Sequence, residues 1–191
     1  MRRDVLTSLV TILSMTIADP PQPNPTYVVI DGDLYIVVML GLTWGGCKGI
    51  RYIYGYQYME AVDLALTEIN KHKGQFADLG IKIGAIIMDD CSSADRGLNL
   101  TKEFYGGILL VNDSTGALIN PDRVVGFVGS ANSDKTMKVA EYLKTTKTVL
   151  VAPQATSPQL SDRTRFPYFV RTLPSDNMQV SFHYSLYFKH N

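Results

Sequence analysis

Two short loops carry the side chains best suited to hold a small charged ligand. They are Gly129-Ser130-Ala131-Asn132-Ser133 and Gln154-Ala155-Thr156-Ser157. Each follows a brief apolar run, at 124–128 and 149–152. Between them Thr136, Val139, Ala140 and Leu143 recur at i, i+3, i+4 and i+7, which predicts one face of a helix. A strand–helix–strand unit of this length favours parallel strands with a right-handed crossover. Both loops then fall at the carboxyl ends of neighbouring strands, where open α/β sheets take ligands. Ser133 stands where a hydroxyl caps free backbone N–H groups. The same hydroxyl, with N–H groups near Thr156 and the positive end of the helix dipole, could hold a carboxylate. Asp134 opposes this, because a carboxylate in the first turn already uses the dipole and repels a second anion. Spacing alone favours the plain cap and turn, since most such loops bind nothing.

The elements that would position these loops can be read along the chain. Residues 27–30 and 34–42 are β-branched and apolar, split by Asp31-Gly32-Asp33, which suits either a hairpin turn or the entry to one central strand. The run at 34–40 is continuous enough for a strand covered on both faces. A Gly-rich loop at 43–48 with the only tryptophan follows. Residues 51–70 read as a helix, with Met59, Val62, Leu66 and Ile69 on one face and Gly74 after a basic tail as a stop. Tyr52, Tyr54, Tyr56 and Tyr58 at its start cannot share one helical face, so some meet a cleft, a partner or solvent. A further inner strand ends in Asp89-Asp90-Cys91. Two adjacent carboxylates could hold a metal, but no other Asp, Glu or His lies at ligand spacing, which favours a solvated loop. A short helix at 95–105, a long connection at 106–123, a strand at 168–171 and a helix at 177–188 complete the alternation. In the last helix Met178, Phe182 and Leu186 keep helical spacing. Strand and helix in turn predict a doubly wound α/β sheet, mostly parallel.

Bulk properties narrow the function classes. The chain has 191 residues, 46% hydrophobic and 19% charged, which describes a globular domain with a sizeable core. Lys plus Arg and Asp plus Glu both total 18, which argues against nucleic-acid or polybasic membrane partners. Arg2 and Arg3, a short apolar run at 5–17 and the small residues around Ala18 read as a secretory signal over 1–18, with a Pro-rich linker at 19–26. In an oxidising compartment Cys47 and Cys91 suggest one disulfide, against the alternative of two buried thiols. Asn99-Leu100-Thr101 and Asn112-Asp113-Ser114 fit the glycosylation pattern. His72, His183 and His190 are scattered, and no nucleophile, phosphate-loop or zinc-protease motif occurs, so nothing points to an enzyme or a cofactor.

Several stretches together carry a family resemblance. They are Asp31-Gly32-Asp33, Cys47-Lys48-Gly49, Gly55-Tyr56-Gln57 with Glu60-Ala61, Glu68-Ile69-Asn70, Asp90-Cys91, and Val125-Gly126-Phe127-Val128-Gly129. To these add Ala155-Thr156-Ser157-Pro158-Gln159-Leu160-Ser161-Asp162, Tyr168-Phe169, Arg171 and Pro174-Ser175-Asp176. From Asp31 onward the chain resembles the extracellular ligand-binding domain of class C G-protein-coupled receptors, the metabotropic glutamate receptors most strongly. The resemblance implies a Venus flytrap domain of the type I periplasmic-binding-protein-like fold, of which 27–191 is the first part of lobe 1. By position it implies that Ser133 holds a ligand α-carboxylate, that Thr156 holds the α-amino and carboxylate groups, and that Asp176 pairs with the ammonium. It places Tyr58 at the ligand too, and Cys47 and Cys91 in a family disulfide; Gln154, which opens the second polar loop, is a further candidate ligand residue.

Three departures qualify it. Tyr58 stands where glutamate receptors place an arginine for the distal carboxylate; it donates a hydrogen bond but no positive charge, which points towards an uncharged or aromatic amino acid. No cysteine occurs in 106–123, so no intersubunit disulfide is expected there. Lobe 2 and the membrane helices lie outside the sequence. The expectation is therefore an amino-acid-binding receptor region at the cell surface, homodimeric through lobe 1, reaching membrane and G protein only through a C-terminal region not in this sequence. The alternatives are a secreted or truncated decoy of the same fold, and the ligand domain of an ionotropic or cyclase-linked receptor.

Overall fold

In the computed structural model, residues 27–71 and 77–189 are described. The signal and linker read at 1–26 lie outside them. The strands of the described residues are β1 (Tyr27–Ile30), β2 (Leu34–Leu40), β3 (Thr43–Trp44), β4 (Ile50–Arg51), β5 (Ile83–Asp89), β6 (Val124–Val128), β7 (Leu150–Ala152) and β8 (Phe169–Arg171). The α-helices of the described residues are α1 (Ile53–Lys71), α2 (Ala94–Tyr105), α3 (Ser133–Thr146) and α4 (Asp176–Lys189). Six strands form one sheet in the order β1-β5-β2-β6-β7-β8, while β3 and β4 make a separate small hairpin. All neighbours in the main sheet are parallel except β1, which runs antiparallel to β5. The mostly parallel α/β reading therefore holds.

Asp31-Gly32-Asp33 is not a hairpin turn, because β1 and β2 do not pair and β5 lies between them. The chain crosses the start of β5 instead. A Cβ on Gly32 would come within 2.2 Å of the Gly84 nitrogen, and one on Gly84 within 2.3 Å of the Ile30 oxygen. Two glycines allow a crossing that no larger residue permits.

The two sheet faces are covered unequally. On one, Tyr35, Val37, Met39, Ile86, Met88 and Phe127 pack under α2 and α3, with Leu100, Phe104, Val139 and Leu143 buried between. The helical stripe read from Thr136, Val139, Ala140 and Leu143 is buried throughout. On the other face Val38, Leu40, Ala85 and Ile87 meet α1 through Leu66, Met59, Val62 and Ile69. Beside α1 an apolar groove of about 330 Å³ runs over Ile36, Val38 and Val128. Met178, Phe182 and Leu186 of α4 keep their helical spacing but stay exposed. Among the described residues no helix is long and apolar enough to cross a membrane.

Candidate functional site

Strands β6, β7 and β8 run parallel, so the segments that follow them emerge at one edge. Asn132, not Ser133, is the cap of α3: its side-chain oxygen accepts from the Lys135 N–H at 2.9 Å. Sequence reasoning placed the cap one residue late. Ser133 is the first helical residue, and its hydroxyl reaches across to the neighbouring loop, where it accepts from the Ser157 N–H at 3.1 Å. With its oxygen so engaged, its proton is available to an incoming acceptor.

Thr156 is half-buried beside it. Its carbonyl accepts from the Asp176 N–H at 3.0 Å, which ties the start of α4 to the β7 loop. Asp176 is exposed at that helix start. Ser133, Thr156 and Asp176, some 40 residues apart in sequence, thus meet along one edge through two loop-to-loop hydrogen bonds. On the α1 side Gln154 Nε2 donates to the Tyr58 hydroxyl at 2.8 Å, joining two more of the residues singled out from sequence.

Next to this edge opens a cleft of about 600 Å³, lined by Trp44, Tyr52, Tyr58, Ser92, Asn132, Lys135 and Gln154 among others. That volume falls within the usual range of ligand pockets, roughly 300–1,000 Å³. Its rim is the β3–β4 hairpin, bound to the end of β5 by the Cys47–Cys91 disulfide. The pairing implied by the resemblance is therefore present, and the alternative of two free thiols is excluded.

The Asp89-Asp90 pair is not a solvated loop, as expected from the sequence, but is buried. Asp89 Oδ1 accepts from the Leu42 and Cys91 N–H groups at 2.9 and 2.8 Å. Asp90 takes Lys135 Nζ on both oxygens, at 3.0 and 2.9 Å, and the Ser130 hydroxyl at 2.6 Å. Both carboxylates are thus held by partners within the chain, which buried charges require. Sequence reasoning missed the pair. The signal was a lysine on the inward side of α3, one residue before Thr136 of the buried stripe, with a carboxylate at the end of a neighbouring strand. Among the described residues no group of three or more His, Cys, Asp or Glu could hold a metal.

Comparison with known proteins agrees with this architecture. Residues 57–187 match the family described as "Receptor family ligand binding region". The chain is 30% identical over 172 residues to metabotropic glutamate receptor 4 of Rattus norvegicus, which covers 83% of this chain and 18% of that protein. It is 28% identical over 160 residues to metabotropic glutamate receptor 8 of Homo sapiens, covering 80% of this chain and 17% of that protein. The chain thus spans less than a fifth of the relatives it matches. The chain belongs to the receptor-family ligand-binding region, a non-enzymatic family, and is of the class C receptor type.

Proposed function

We propose that the carboxyl-end edge binds an amino-acid-type ligand in the extracellular part of a receptor, with a second lobe closing over it. The Ser133 hydroxyl and the Thr156 segment hold the carboxylate, and Asp176 pairs with the ammonium. The observation that carries this reading is the pair of hydrogen bonds, Ser133 to Ser157 and Thr156 to Asp176, that puts a hydroxyl donor and an exposed acid on one edge. A zwitterion needs a donor for its carboxylate and an acid for its ammonium, and this edge carries one of each.

The same reading places the chain in the secretory pathway, at the cell surface when joined to the rest of a receptor, and pairs it as a homodimer through lobe 1. Asn99 and Asn112 are exposed, as glycan acceptors must be. Signal transfer to a membrane and a G protein would run through regions beyond this sequence.

Calorimetric titration of the purified 191-residue chain tests the site. Asp176→Ala lowers affinity for L-amino acids by about tenfold or more, the scale of a charge-assisted contact. It leaves the deaminated acids nearly unaffected. Ser133→Ala weakens both classes. Equal losses for amino acids and plain acids in Asp176→Ala would sink the ammonium assignment.

A further inference from the structure

The cleft beside the proposed amino-acid edge has a character of its own. Trp44, Tyr52 and Tyr58 line it from three different segments. The Trp44 and Tyr52 rings lie 5.9 Å apart, tilted by 37°, and Tyr54 meets Tyr52 edge-on at 5.4 Å. Trp44 is 64% exposed, so a large ring faces open space rather than the core. An exposed indole held in place by a disulfide-bound hairpin is an apolar surface awaiting a cover.

Charge at the cleft is already balanced. Among the described residues Lys135 is the only charged one on its lining, and Asp90 holds that ammonium with both oxygens. Asp90 is fully buried, and Lys135 is 5% exposed. An anionic ligand group entering here would lose water and gain no free cation, and a cationic one would meet a lysine. The other polar side chains on the lining are neutral: Ser92 donates to the Thr43 carbonyl, Ser93 and Asn132 accept from the Arg96 and Lys135 N–H groups, and Gln154 donates to Tyr58. Ala131, Asn132 and Gln154 on the lining flank Ser133 and Thr156 in sequence, so cleft and edge are contiguous.

We infer that this cleft is the side-chain subsite, and that it selects an amino acid with an uncharged aromatic side chain. Trp44 and Tyr52 form the stacking wall, and Tyr58 with Gln154 forms the neutral floor. The inference rests on the amino-acid reading of the Ser133–Thr156–Asp176 edge and adds to it the class of side chain.

The test is calorimetric titration of the 191-residue chain with L-phenylalanine, L-glutamate and glycine. The expected result is L-phenylalanine at least about tenfold tighter than either of the others. Trp44→Ala, a change at an exposed position, reduces that preference severalfold and leaves glycine affinity unchanged. Tyr58→Arg, which adds a free cation, moves the preference towards L-glutamate. Comparable binding of all three overturns the inference and leaves the amino-acid reading standing. Tightest binding of L-glutamate by the unaltered chain also overturns it. Binding of none overturns the amino-acid reading, and the inference with it.

Discussion

The two ends of the parallel strands solve opposite problems. At the amino ends several polar groups of the described residues are closed within the chain. Asn70 donates to the Ile83 carbonyl and accepts from the Ile83 N–H, both at 2.8 Å. Arg123 donates to the carbonyls of Asp33 and Gly32 at 2.9 and 2.8 Å and lies over the Tyr35 ring at 5.0 Å. Asp33 accepts from the Lys82 N–H at 2.7 Å, and Asp31 accepts from the Ser114 hydroxyl and N–H. At the carboxyl ends internal bonds also tie the loops, among them Ser157 N–H to the Ser133 hydroxyl, Asp176 N–H to the Thr156 carbonyl and Leu42 N–H to Asp89, while Asp176 and the Trp44 ring are exposed. The carboxyl end adds exposed acidic and aromatic groups to its internal bonds. This division follows from parallel topology, which gathers the loops after several strands on one side.

The largest test of that contrast is an ion pair at the carboxyl end that belongs to stability. Lys135→Met leaves Asp90 buried and unpaired, and should lower unfolding free energy by about 3–5 kcal/mol in a denaturant titration. Adding Asp90→Leu should recover much of that loss, because an apolar pair carries no desolvation penalty. A single variant as stable as the parent would mean that the pair does not hold the edge.

Asn70→Ala at the amino end should cost about 1–3 kcal/mol, since it strands the N–H and C=O of Ile83. Its affinity for amino acids should match the parent's under conditions where both are folded. A parallel loss of affinity would erase the distinction between the two ends.

The smallest effect is acid sensitivity at Asp31. The Ser114 hydroxyl, then the Ser114 N–H, holds its carboxyl below the ordinary value of 3.8. A depressed folded-state value means that Asp31 contributes stability above 3.8 and loses it as the pH falls through the lower folded value. The stability difference between the parent and Asp31→Asn should therefore be flat above about pH 5 and shrink below the ordinary value. A difference that grows with acid would reverse the sign and remove Ser114 as the cause.

Much of the fold was legible because it repeats short-range signals. The stripe Thr136, Val139, Ala140, Leu143 and the face Met59, Val62, Leu66, Ile69 both turn inward as their periods require. What escaped was set by distant neighbours. Gly32 has its role only because Gly84, 52 positions later in the sequence, passes against it. Asp90, just past the end of β5, looked solvated until Lys135 of α3 came within 2.9 Å. Ser133, Thr156, Asp176 and Tyr58 were singled out through family resemblance, and Gln154 as part of the second polar loop, rather than from any local period. The aromatic wall of Trp44 and Tyr52 was not, because a hairpin and a disulfide bring it to the cleft.

The most direct measurement of the central claim is an amide-resolved NMR titration of the chain with L-phenylalanine. The account predicts saturable shifts at Ser133, Thr156, Ser157 and Asp176 and at the Trp44 indole N–H, with Asn70, Ile83 and Ser114 unmoved. Shifts confined to the amino-end residues, or no saturable shift anywhere, would contradict it.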